Sequence, residues 1–343
     1  MKRRWQGCSH GPGAALLTLV LLVLPGAGGV RADTPAAAGT PMTERSVAQW
    51  LLRLHEASRN RAYIGTLVVT SAGGQTSAAR IWHVCDGTQQ IERVETLSGT
   101  PRATFRRNDQ VVTFLPEAKV ARIERRESMA LFPGLLRSGD HTLAEFYGAR
   151  TQGSGRVAGH EADVVLLEPR DRLRYGYRIW SEKKTGLVLQ LQTLDTDGRL
   201  LDQVAFSELQ LDAPVRMDKL AQMMAQTEGY RLEQVPLTPT TAAAEGWALK
   251  APVAGFKPVS CYRRGGSAAG DGMLQWVFTD GLASVSLFLE PFDRQRHGPE
   301  GVAALGGATQ SLNRRVQDHW LTVVGEVPAA TLQAFAQALE RRR

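Results

Sequence analysis

The side chains that could do chemistry in this chain are seven histidines, three cysteines and 34 carboxylates. His10, His55, His83, His141, His160, His297 and His319 show no HExxH or comparable spacing, so they do not read as metal ligands. Cys85 and Cys261 form no CxxC pair. No Gly-x-Ser-x-Gly elbow presents a serine nucleophile. Gly153-Ser154-Gly155 with Gly159 lacks the spacing of a dinucleotide loop and leads into a strand pattern, so it reads as a turn. Asp195-Thr196-Asp197-Gly198 begins like a calcium loop, yet the third ligand and the terminal glutamate are missing, and a hairpin turn is needed there. Carboxylate pairs can be drawn at will among so many acids and carry no weight without geometry. No catalytic residue, metal ligand or cofactor is expected, and the chemistry left to the chain is binding.

Composition narrows what could be bound. Lys2, Arg3 and Arg4, the apolar run from Ala14 to Leu24, and Val30-Arg31-Ala32 read as a cleavable secretion signal over residues 1–32. The run is too short for a bilayer span, which needs about 20 residues. The net charge is +7 and the isoelectric point near 9.6. Without Lys2, Arg3, Arg4 and Arg31 the remainder has 37 basic against 34 acidic residues, a net +3. Nucleic acid is not the expected partner; an acidic peptide, a lipid headgroup or plain solvated charge fits such a surface. In an oxidising compartment Cys85 and Cys261 could pair, or remain two buried thiols; both readings are open.

The elements that must position a binding surface are mostly strands. Residues 33–42 are small and polar, a flexible leader. Val47, Trp50, Leu51 and Leu54 then recur at helical spacing behind Thr43, predicting a capped amphipathic helix of about 13 residues. Strands are expected at 62–70, 77–85, 90–97, 102–106, 111–115 and 119–124, separated by turns such as Gly73-Gly74 and Asp86-Gly87. A break over 127–148 contains the apolar patch 131–136. Leu173, Tyr175, Tyr177 and Ile179 alternate with Arg174, Gly176, Arg178 and Trp180, and Leu187, Leu189 and Leu191 alternate likewise, marking strands with one buried face. Asp197-Gly198 turns the chain into 200–211.

Nine or ten strands with two helical segments imply a strongly curved sheet or open barrel over 43–213, with the helices across its open side. Residues 214–246 read as a linker containing a short helix near 217–227, with Pro236–Gly246 of low complexity. The remainder, 247–343, predicts a smaller α+β domain of four or five strands with a terminal helix opened by Pro328. A curved sheet closed by a helix encloses apolar space, which either holds an acyl chain or is filled by its own side chains.

Several segments resemble the RseB/MucB family. Tyr63-Ile64-Gly65-Thr66-Leu67-Val68-Val69, Ile81-Trp82-His83-Val84 and Glu92-Arg93-Val94 look like its opening. Leu166–Asp171 followed by Arg174–Trp180 is similar to its central signature, as is Lys184–Leu187; Phe278–Ser286 and Val323–Pro328 are similar to its second domain. The resemblance spans essentially the whole chain after the signal.

It implies an α+β, β-rich fold: a large unclosed antiparallel β-barrel of the LolA/LolB kind with a helical lid, plus a smaller domain. It also implies a periplasmic protein that binds the periplasmic part of a membrane-spanning anti-sigma factor of RseA or MucA type. Binding there shields the partner from site-one proteolysis and keeps an extracytoplasmic (sigma-E or AlgU-type) stress sigma factor sequestered. Lipopolysaccharide or lipoprotein acyl chains would release it. A homodimer is a further candidate assembly.

On this reading Tyr63, Leu67, Trp82, Phe105, Phe114 and Phe132 line or lid a lipid cavity, the competing reading being simple burial. Arg263, Arg264, Trp276 and Asp280, on the interdomain face of the small domain, contact the partner, the competing readings being solvated charge and core packing. The rival function is a lipid or lipoprotein carrier using the same barrel, and a pure carrier would have no use for the second domain. A hydrolase would require a constellation that is not found.

Overall fold

The computed structural model describes residues 39–125, 143–234, 236–265 and 272–342; the expected secretion signal, the patch 131–136 and Phe132 lie outside them. Helix α1 spans Glu44–Arg59, and the Thr43 hydroxyl accepts the Ser46 amide at 3.2 Å to cap it. Val47, Leu51, Leu54 and Ala57 form its buried stripe.

Strand β1 (Thr40–Pro41) precedes the helix. After it, β2 (Tyr63–Ser71), β3 (Thr76–Cys85), β4 (Gln90–Thr96), β5 (Ala103–Arg107), β6 (Gln110–Leu115) and β7 (Val120–Arg125) form an antiparallel meander. A short helix, α2 (Leu143–Phe146), leads into β8 (Tyr147–Val157), β9 (His160–Pro169), β10 (Gly176–Glu182), β11 (Val188–Leu194) and β12 (Leu200–Leu211). Then come α3 (Met217–Ala225) and β13 (Arg231–Gln234). The 13 strands lie in the order β1-β8-β9-β10-β11-β12-β2-β3-β4-β5-β6-β7-β13, so β12 joins the two meanders and, among the described residues, the outer strands β1 and β13 do not pair with each other. The sheet is an unclosed barrel.

Its two faces carry different helices. Tyr63, Leu67 and Ile81 share a core with α1 and with Val165, Ile179, Leu189 and Phe206 from β9 to β12. Phe105, Val112 and Phe114 share another with Leu220 and Met224 of α3. Register explains the split. Trp82 pairs with Arg93, and Arg93 with Phe105, whereas Tyr63 pairs with His83, one residue further along β3 and therefore on the other face.

The second sheet has seven strands: β14 (Leu237–Pro239), β16 (Lys257–Arg264), β17 (Met273–Thr279), β18 (Ser284–Pro291), β19 (Gly301–Gly306), β20 (Thr309–Val316) and β21 (His319–Gly325), in the order β14-β16-β17-β18-β21-β20-β19. Strands β15 (Trp247–Leu249) and β22 (Leu339–Arg341) make a separate pair. Helix α4 (Ala329–Ala338) packs Leu332 and Phe335 onto Leu274, Phe278, Val285 and Val323, which occupy one face of the sheet.

Five expectations change. The first sheet has 13 strands rather than nine or ten. The second sheet has seven strands rather than four or five, because β16 and β20 each carry two adjacent arginines and β19 is framed by glycines, which hides their period. Residues 214–246 are not a free linker: Leu220 and Met224 bury α3 against the barrel, β13 pairs in parallel with β7, and β14 pairs with β16. Gly153 is not in a turn; at φ +86° it makes a bulge within β8, and the turn falls at Ala158-Gly159. Leu173–Tyr175 precede β10 rather than belong to it, so alternation gives the wrong exposure for Arg174, which is wholly buried.

The α1 face also holds a buried imidazole. His83 is 2 % exposed, stacks on Tyr63 with centroids 4.9 Å apart, and has the Glu92 carboxylate 3.6 Å from Nδ1. Burial opposes its charge, but the Cys85 sulfur and Glu92 outweigh burial and raise the imidazolium pKa to about 9. The unfolded value is about 6.5. The stability contributed by this proton is therefore complete below about pH 6.5 and lost as pH rises through about 9. Urea unfolding across that window should show stability falling in the wild type and a flatter profile in His83→Gln; parallel profiles would refute the charged imidazole.

Candidate functional site

The two sheets meet at a turn built by Asp280-Gly281 between β17 and β18. Asp280 Oδ1 accepts the amides of Leu282 at 3.0 Å and Ala283 at 2.8 Å, and Gly281 supplies the φ of +99° that the turn requires. Asp280 Oδ2 is left facing the barrel. There it accepts the Tyr147 hydroxyl at 3.0 Å and Arg174 Nε at 2.9 Å. Burial holds the Tyr147 phenol well above its ordinary pKa, so it is a neutral donor.

Both charged side chains of this pair are fully shielded from solvent. Arg174 also donates to Asp171 and to the Ala254 carbonyl. Its guanidinium lies 4.2 Å from the Phe146 ring centre and 5.0 Å from that of Phe256. A Cβ at Gly255 would come within 2.0 Å of the guanidinium, so only glycine fits beside it.

Further contacts tie the sheets elsewhere. Asp202 of β12 accepts the Ala308 amide at 2.5 Å, and a Cβ at Gly307 would stand 1.9 Å from its carboxylate. The Thr331 hydroxyl donates to the Leu173 carbonyl at 2.6 Å, and Arg264 pairs with Glu124 at 3.6 Å.

Between these ties lies a cleft. One cavity of about 680 Å³ has walls of Val69, Ser77, Tyr177, Leu191 and Val204 from the barrel and of Leu282, Gly306 and Gly307 from the second sheet. It adjoins another of about 500 Å³ over Tyr262, Gln275, Val277, Phe288 and Val324, the face of the second sheet opposite α4; Leu282, Thr309 and Glu326 line both. Apolar side chains interleaved with serine, threonine and glutamine suit an extended polypeptide, whose backbone needs hydrogen-bond partners and whose side chains need apolar contact. Among the described residues no group of three or more His, Cys, Asp or Glu could hold a metal ion. Cys85 and Cys261 are both free thiols, and burial pushes Cys261 up to about 11.

Of the partner candidates, Arg264 lines the cleft. Asp280 is buried in the junction with its oxygens engaged. Arg263 pairs with Glu245, and Trp276, in contact with Phe278, belongs to the α4 face. The lipid-cavity candidates do not share one space: Tyr63 and Leu67 lie under α1, while Trp82, Phe105 and Phe114 lie under α3. Sequence reading passed over Arg174, Tyr147, Asp202 and Phe288. An arginine set between Leu173 and Tyr175 is the signal the sequence offers for Arg174, and period-2 alternation alone assigns it to the solvent side of a strand.

Removing one partner of the buried pair strands the other charge, at a cost of about 3–5 kcal/mol. Arg174→Met should lower stability by that amount in urea unfolding, and Arg174→Met with Asp280→Asn should recover most of the loss. Equal losses in the single and double variants would exclude the pair as the reason Arg174 is buried.

Residues 46–224 match the family model for the MucB/RseB N-terminal domain, and residues 241–340 that for the MucB/RseB C-terminal domain. The chain is 29 % identical over 306 residues to the sigma factor AlgU regulatory protein MucB of Pseudomonas aeruginosa, covering 87 % of this chain and 92 % of that one. It is 22 % identical over 293 residues to the sigma-E factor regulatory protein RseB of Escherichia coli K12, covering 84 % and 89 %. The solved complex of Pseudomonas aeruginosa MucA/MucB superposes with a TM-score of 0.66 at 26 % identity, over 86 % of this chain and 99 % of that chain. With one domain model matched on each sheet, and in the family's order, the chain belongs to the MucB/RseB family.

Proposed function

We propose that this protein is a periplasmic negative regulator of an extracytoplasmic stress sigma factor, and that it holds the periplasmic part of a membrane-spanning anti-sigma factor in the cleft between its two sheets. The cleft carries this reading. Helix α4 takes one face of the second sheet, and among the described residues the other face is open above Val277, Phe288 and Val324. Family membership and the solved complexes of the relative MucB with MucA and with MucA(peri) support the class of partner. A segment laid in the cleft would be withdrawn from a protease, which needs several extended residues free of other contacts. That is how binding alone, without catalysis, could keep a sigma factor sequestered.

The same reading divides the chain into a secretion signal over 1–32, a barrel domain over 43–213, a connecting stretch over 214–246 and a small domain over 247–343. The family models, over 46–224 and 241–340, support two domains in that order, with α3 falling in the first match and 241–246 in the second. Lipid would act through the barrel. An acyl chain entering beneath α1 competes with Leu51 and Leu54 for Tyr63 and Leu67. Whatever affinity it gains by preferring the partner-free conformation, it takes from partner binding by the same factor. Cargo transport alone would leave the second sheet without a role.

Binding of the cognate anti-sigma periplasmic segment to the immobilised mature protein tests the proposal. Micromolar or tighter affinity is expected, weakened by lipopolysaccharide. Phe288→Ser should weaken it about tenfold, the effect of losing about 1.4 kcal/mol of apolar contact. No binding would sink the regulator, and affinity indifferent to lipopolysaccharide would remove the lipid arm alone.

A further inference from the structure

The two large sheets end in four edge strands, and three of these are blunted. Strand β1 is two residues long and ends in Pro41; β13 carries Arg231 and Glu233; β14 is three residues long and ends in Pro239. Shortness, charge and proline are the devices that keep an edge from pairing with another chain. Strand β19 has none of them. Gly301-Val302-Ala303-Ala304-Leu305-Gly306 is six residues long, uncharged and exposed at every position, with Val302 at 42 % and Leu305 at 60 %. Its one irregularity is a shift of register between Ala304 and Gly306. On one side it pairs with β20, and among the described residues no strand lies on the other.

The position of this edge bears on its use. Strand β19 runs out at Gly306-Gly307, both at positive φ, and these glycines form the wall of the cleft opposite Val69 and Asp202. A polypeptide leaving the cleft at Gly307 therefore arrives at a ready row of unpaired amides and carbonyls.

We infer that β19 is the docking edge for an extended, uncharged segment of the polypeptide held in the cleft, which adds to the second sheet as an eighth strand. This rests on the regulator reading above. Main-chain hydrogen bonds would supply affinity, while Val302 and Leu305 would select small apolar or β-branched side chains in the added strand. A proline at a bonded position of that segment would be rejected.

Hydrogen exchange on the mature protein, alone and with the cognate anti-sigma periplasmic segment, tests the inference. Amides within 301–306 should slow by about tenfold or more in the complex. Val302→Lys with Leu305→Lys should weaken binding about tenfold while leaving the urea midpoint unchanged, since both side chains already face solvent. A complex that forms with 301–306 still unprotected would overturn the edge and leave the regulator standing. Absence of any complex would remove both. Protection that appears without the segment and grows with protein concentration would assign the edge to a second copy of this chain, and would equally overturn the inference.

Discussion

Arg174 carries a permanent charge to a place that water does not reach, and the relation between the two sheets turns on how that charge is neutralised. Moving such an ion out of water costs several kcal/mol even after relaxation. Here Asp280, Asp171 and the Ala254 carbonyl accept its hydrogen bonds, and the Phe146 and Phe256 rings flank it. Asp280 is itself fully engaged, taking two turn amides on one oxygen and Tyr147 with Arg174 on the other. A buried pair of this kind adds little net stability compared with apolar residues of the same shape. Its effect is geometric: an ion pair whose three guanidinium nitrogens and two carboxylate oxygens all have partners has few satisfactory arrangements.

The neighbours of this pair link it to the barrel. Phe146 and Tyr147 sit where α2 passes into β8, and both pack into the core that α1 covers. Anything that lifts α2 from the sheet must disturb the stacking on Arg174 and the hydrogen bond to Asp280. Events inside the barrel and the opening of the cleft therefore share residues, which is the physical requirement for one to bias the other.

The barrel itself illustrates how a period-2 pattern can be read correctly in position and wrongly in side. Tyr63, Leu67, Trp82, Phe105 and Phe114 are all apolar or aromatic, and each falls in a strand where one was expected. Whether two of them share a space depends on cross-strand register. Tyr63 pairs with His83 and not with Trp82, so the set divides between the α1 core and the α3 core. Hydrophobicity alone does not distinguish two faces when both are covered.

By itself the sequence determined what local chemistry controls. Thr43 with the Val47, Leu51 and Leu54 stripe specified a capped helix, and glycine and Asx turns placed β2 to β7 and β12 within a residue or two of their observed ends. The hairpin at Asp195-Thr196-Asp197-Gly198 is made by the Asp195 carboxylate accepting the Asp197 and Arg199 amides, each at 2.8 Å. Signature segments spread along the chain were enough for the family.

What only the tertiary structure decided is everything that pairs residues distant in sequence. Arg174 and Asp280 are 106 positions apart, and Asp202 and Ala308 likewise. Arg174, Asp280 and Asp202 do not differ locally from solvated charges. A charged side chain becomes buried only when another part of the chain brings it a partner, and no periodicity records which part that will be.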